Sequence, residues 1–205
     1  MKRSEKGGIL YLTQLSLLVA VEMVMKLIGL GSVPVGPLYM SFLTVPIAVG
    51  AIIMGPMAAM VLGGVFGFVS FLDAIKGASI MTSNLLAVSP LHTFVLCFGT
   101  RVLMGLCVGL LYRGMAKLCR KDIVNCFAAS IAAPLLNTLF FMGYLMLAFY
   151  HTEYIQGLAS AKGAANPLMF VVLLVGVQGI LEAVVCAAAG TSVASGLKKA
   201  LGRAF

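Results

Sequence analysis

Tryptophan is absent from this 205-residue chain, histidine occurs twice and acidic residues only six times. Charged residues make up 10% of the sequence, against about 25% in soluble domains. With 61% hydrophobic residues and a mean hydropathy of +1.10, a water-soluble core of this length cannot hide the apolar surface. Lipid is therefore the expected solvent. The lack of Trp removes half of the usual interfacial belt and leaves six Tyr to supply it. The five cysteines (97, 107, 119, 126 and 186) form no C-x-x-C pair. Lying within or beside apolar runs, they read as buried reduced thiols rather than a metal or disulfide site. Also missing are H-E-x-x-H, G-x-S-x-G, a Walker A sequence and any aspartate-rich metal motif, so no catalytic residue is assigned and no cofactor is expected. Without a nucleotide site, energy from ATP would have to come from partner chains. No internal repeat supports an inverted-repeat transporter.

What is present is a series of apolar runs. Six helical spans are expected at about 9–30, 42–54, 56–72, 91–112, 124–150 and 167–190, forming a single integral membrane domain over 1–205. The first run follows Lys2, Arg3 and Lys6 but continues without an A-x-A cleavage site, and reads as a retained span rather than a signal peptide. Gly55-Pro56 divides the second run from the third and fits a tight helical hairpin. Pro46 makes the second span short, kinked or incompletely spanning. With six spans, the basic clusters Lys2/Arg3/Lys6, Arg113/Lys117/Arg120/Lys121 and Lys198/Lys199/Arg203 fall on one face, and the positive-inside rule makes that face and both termini cytoplasmic. The +8 charge is thus a topology signal and a contact for anionic lipid, not for nucleic acid. The 23 glycines fit close helix contacts in a bilayer.

Three connections, 31–41, 73–90 and 151–166, are expected on the outer face, long and lightly charged, as covers of an outward pocket or as loose solvated links. Charges within spans are costly and usually face the protein interior. Glu22 and Lys26 stand four apart and either neutralise each other or leave Lys26 to meet an anionic ligand. Arg101 and Glu182 lie at depths that permit an interhelical ion pair, which is structural unless Arg101 serves a carboxylate or phosphate ligand. Asn137 and Thr138 follow Pro134 in mid-span and need polar partners. Gln178 shares a helix face with Glu182, and Ser83 and Asn84 lie in the second outer connection. The candidate binding set is Lys26, Asn84, Arg101, Asn137, Gln178 and Glu182. His92 and His151, at helix boundaries near the outer face, read as structural. An intramembrane enzyme using one of them or Glu182 is the runner-up, and an accessory protein without a ligand the third reading.

The hairpin VPIAVGAIIMGPMAAMVLGGVFGFVSFL, the segments SPLHTFVLCFGTRVLMGLCVGLLY and PLLNTLFFMGYL, and GVQGILEAVVCAAAG with its basic tail GLKKAL resemble, in order, helices two to six of the substrate-binding S components of energy-coupling factor (ECF) vitamin transporters. The resemblance covers about residues 9–201. It implies an all-α polytopic protein of six helices with both termini inside, placed in the plasma membrane. The ligand would be a micronutrient, held at the outer ends of helices four to six. The partners would be a transmembrane coupling subunit and two ATPases. The family's Ala-x-x-x-Ala docking patch falls on Ser16 and Ala20, the serine being a departure from the pattern. Among substrates the motifs lie nearest the pantothenate, riboflavin and folate branch. Lys26 and Arg101 suit a small anion such as pantothenate, and the missing Trp disfavours a large flat ring.

Overall fold

In hydrocarbon every backbone N–H and C=O must be satisfied within the protein, and a helix does this locally. The computed structural model, which describes residues 2–31, 33–35 and 38–202, is accordingly helical over nearly all its length. The elements are α1 (Lys2–Leu27), a short ribbon β1 (Val33–Val35) and β2 (Leu38–Met40), α2 (Thr44–Ile53), α3 (Pro56–Ile75), α4 (Ile80–Val88) and α5 (Pro90–Phe94). A π-turn over Val95–Gly99 joins α5 to α6 (Thr100–Leu118), followed by α7 (Asp122–Phe149), α8 (Glu153–Ala161) and α9 (Pro167–Ala200). Arg203 of the basic tail and Ser32, Gly36 and Pro37 of the first connection lie outside the described residues, as do the side chains of Lys2, Arg3 and Lys6.

Among the described residues, five helices are long and apolar enough to cross a membrane: Gly8–Leu27, Pro56–Ile75, Pro90–Leu118, Asp122–Phe149 and Pro167–Ala200. The second expected span is short, as Pro46 suggests. At ten residues α2 is about 15 Å long, half the thickness of the hydrocarbon core. It tolerates this length because Pro46, Ile47, Ala48, Val49 and Ala51 are enclosed by protein. Gly55 ends it at φ 96°, a left-handed conformation that glycine adopts without strain, and Pro56 opens α3 directly.

The three long connections are also more ordered than their composition suggests. Residues 33–40 pair as an antiparallel ribbon with Val33 opposite Met40. α4 occupies much of the second connection, and α8 much of the third, where the Thr152 hydroxyl accepts a hydrogen bond from the Ile155 N–H at 3.5 Å. α9 runs past the expected end at 190 to Ala200. There the Lys198 ammonium donates to both oxygens of Asp122 and to the Tyr112 hydroxyl, tying α6, α7 and α9 together.

The tightest contact is between α3 and α6. A Cβ at Gly63 would lie 2.2 Å from the carbonyl oxygen of Arg101, and one at Gly105 2.1 Å from that of Ala59. At Gly67 it would meet the Cys97 carbonyl oxygen at 2.7 Å, and at Gly109 the Cα of Pro56 at 2.4 Å. Four glycines thus bring the two backbones into direct contact, the arrangement small residues permit in membranes. Gly105→Ala is expected to destabilise the protein by about 1–3 kcal/mol through overpacking. Gly143→Ala, where a Cβ meets nothing within 4 Å, should be neutral or gain up to about 1 kcal/mol of helix propensity. Thermal unfolding of the two variants in one detergent makes the comparison.

Candidate functional site

Two clusters of buried apolar side chains fill the bundle. One centres on α2 with α3, α6, α7 and α9, the other on α4, α7, α8 and α9. Between them lies a partly enclosed cavity of about 110 Å³, several times the space a single water needs. Apolar walls come from Phe66, Val69, Phe141 and Met142, while polar groups converge from several elements. These are Lys26 at the end of α1, Ser41 after the ribbon, Ser70 and Asp73 on α3, Asn137 and Thr138 on α7, and Gln178 and Glu182 on α9.

Arg101 forms much of the floor and is buried. It follows the π-turn and turns its guanidinium back onto that turn's carbonyls. Arg101 Nη1 donates to the carbonyls of Cys97 at 3.0 Å and Leu96 at 3.3 Å. The guanidinium carbon sits over the rings of Phe66, 4.5 Å from its centroid, and Phe141, at 4.8 Å, a cation–π sandwich. Nε has no partner among the described residues.

The expected Arg101–Glu182 ion pair does not form. Glu182 Oε1 instead accepts the Ser41 N–H at 2.7 Å and the Gln178 amide at 3.4 Å. Carbonyls and aromatic faces hold the cation where it stands, and the ribbon's exit holds the anion. The expected pairing of Glu22 with Lys26 is likewise replaced. The Lys26 ammonium is ion-paired with Asp73 of α3, because α3 keeps Asp73 in its last turns rather than releasing it into a connection. Glu22 is buried, and neither carboxylate oxygen has a partner among the described residues.

Of the six candidate binding residues, Lys26, Arg101, Asn137, Gln178 and Glu182 line this one cavity. Asn137 presents an enclosed Oδ1 without a described partner. Asn84 is placed elsewhere, exposed on α4 with its amide donating to the Ile80 carbonyl at 3.0 Å. Ser83 bonds to the carbonyls of Ala74 and Ser79, and Ser79 and Thr82 supply that segment's lining instead. Asp73 was not singled out from the sequence. The available signal was an isolated acid at the end of one apolar run matching an isolated lysine at the end of another. His92 Nδ1 lies 2.9 Å from the Tyr144 hydroxyl, outside the cavity.

A second, apolar groove runs between α7 and α9 on the outside of the bundle, with Thr138 its one hydroxyl-bearing residue. Gly143, Gly176 and Gly179 open it, and Thr138, Met142 and Val175 line both it and the polar cavity.

A model of the family described as the substrate-specific component of ECF transporters matches residues 10–190. The chain belongs to that family. No curated protein matches it. An S component is a transport subunit, not an enzyme. It binds a small-molecule substrate in the membrane and works with a membrane-embedded transport unit and ATPases. In this S component Ser16 and Ala20 are exposed on α1, on a face shared with the exposed Leu12, Met23 and Leu27.

The Ser41–Glu182 bond joins the ribbon's exit to α9, and bonds to a charged partner are worth about 1.5–3 kcal/mol. Glu182→Gln should therefore speed amide hydrogen exchange across residues 40–43 about tenfold, leaving the far-end Lys198–Asp122 contact unchanged; unaltered exchange there would remove Glu182 as the anchor of this segment.

Proposed function

We propose that this S component takes up a small anionic micronutrient, pantothenate first among the vitamins, through the cavity around Arg101. The observation that carries the reading is electrostatic. Arg101 is a buried cation that forms no ion pair with any described carboxylate, in a cavity whose other polar lining is hydroxyl and amide groups, the Lys26–Asp73 pair and Glu182. A ligand carboxylate there would receive charge-assisted hydrogen bonds in a site largely withdrawn from water. Asn137, Gln178 and Glu182 would take the hydroxyl and amide groups of such a molecule. Lys26, already paired with Asp73, would add to the positive side only after leaving that partner. Riboflavin or a folate is the second reading. It is disfavoured because, among the described residues, the two rings lining the cavity, Phe66 and Phe141, both carry Arg101.

In this reading α2 completes six crossings, so that both termini face the cytoplasm with the basic clusters and the cavity faces outward. Ser16 and Ala20 form the docking patch for the coupling subunit, and two ATPases drive the change in ligand affinity between outward and inward states. Small side chains one turn apart on a lipid-facing helix allow close approach of a second helix.

Native mass spectrometry of the purified protein, followed by thermal shift against a vitamin panel, tests the substrate. Stabilisation by micromolar pantothenate, lost in Arg101→Met, is expected. A shift with riboflavin or folate alone would transfer the assignment to that vitamin. For docking, Ala20→Leu should abolish co-purification of the coupling subunit while ligand affinity stays within about twofold, since position 20 is exposed and remote substitutions act independently. Intact association would remove α1 as the docking face.

A further inference from the structure

Two carboxyl-bearing residues, Glu22 and Asp73, stand near the end of α1, and its lysine is paired with only one of them. Lys26 and Asp73 are paired across the cavity mouth, both lining it and each 20% exposed. The pair fastens the end of α1 to the end of α3, beside Gly31, Ser41, Ala78 and Ser79. Glu22 lies one helical turn deeper on α1 and is 2% exposed. Its two oxygens have no partner among the described residues, and it does not line the cavity. A buried carboxyl group without partners is costly to maintain. It is retained here at the spacing, acid first and lysine four residues later, that best suits an ion pair along one helix face.

We propose that Lys26 has two stations. With Asp73 it closes the cavity mouth, and with Glu22 it withdraws along its own helix, so that α1 and α3 part at their outer ends and the cavity becomes accessible. Glu22 is the acceptor that keeps the ammonium paired in the open state, and a ligand able to compete for Lys26 or for Asp73 biases the exchange. The significance of the open state rests on the cavity being the ligand site. The exchange itself does not, and its test uses no ligand. Leu18, one turn deeper than Glu22, remains packed against α2 beside Gly50, so the movement is confined to the last turns of α1.

Hydrogen–deuterium exchange of the purified, ligand-free protein in nanodiscs reads the opening in the peptides covering residues 70–83. Asp73→Asn removes the closed-state acceptor and is expected to speed exchange there about three- to fivefold, the scale of a partly exposed ion pair. Glu22→Gln removes the open-state acceptor and is expected to slow exchange by a similar factor. The opposite sign of these two carboxylate removals is the signature. Lys26→Met abolishes both stations, and adding Glu22→Gln to it should change nothing further. Equal directions for the two single variants, or an effect of Glu22→Gln that persists without Lys26, overturns the proposal. Because no vitamin is present, either result leaves the substrate assignment to be decided by the binding experiment.

Discussion

The contact of α3 with α6 through bare backbone governs the rest of the molecule. Gly63 lies against the carbonyl of Arg101 and Gly67 against that of Cys97. The residue that makes the cavity floor is thus placed by glycines that have no side chains of their own. In a bilayer the usual hydrophobic drive between helices is missing, because lipid tails are as apolar as the side chains they would replace. Close packing has to hold the pair, and close packing demands that nothing protrude. From this seam Phe66 reaches across to the guanidinium, and Ser70 and Asp73 follow at one-turn intervals up the cavity wall.

The polar interior is organised so that each charge is held mainly by something other than its obvious opposite. Arg101 rests on two carbonyls and two aromatic faces, Glu182 on a backbone N–H and an amide, and Lys26 on an acid from another helix. Full neutralisation of Arg101 by Glu182 would have produced a rigid internal pair with little left to offer a solute. The arrangement observed leaves a cation and an anion a short way apart in the same small space. Both are immobilised by local geometry, and in the proposed reading that immobility makes them fixed reference points for a polar molecule.

Much of this was legible in the sequence because hydrocarbon imposes a severe grammar. Glycine and proline at 55 and 56, apolar runs of about the hydrocarbon thickness and a few ionisable residues inside them mark helices and an interior polar site. Lys26, Arg101, Asn137, Gln178 and Glu182 were all recognisable as residues that lipid would not tolerate, and all line one cavity. Partnership was the illegible part. Whether Arg101 meets Glu182 or the carbonyls of a π-turn depends on a local one-residue widening of a helix, and no composition signal announces it. Asp73 was hidden by its position at the edge of an apolar run, where an acid looks like ordinary interfacial polarity. The ribbon at 33–40, α4 and α8 were hidden because small, weakly charged residues are equally compatible with irregular links. α9 outran its apolar stretch because Lys198 finds Asp122 and Tyr112 there.

The wall shared by the polar cavity and the apolar groove is one side chain thick. Thr138, Met142 and Val175 each have one surface toward the polar cavity and the other toward the apolar groove. Two of the three are β-branched and stiff, while methionine yields to pressure. In the proposed reading, with the solute in the cavity and lipid in the groove, lateral compression of the bilayer bears directly on the volume the solute can occupy, with Met142 as the compliant element. A micelle and a membrane would then present the solute with differently shaped rooms.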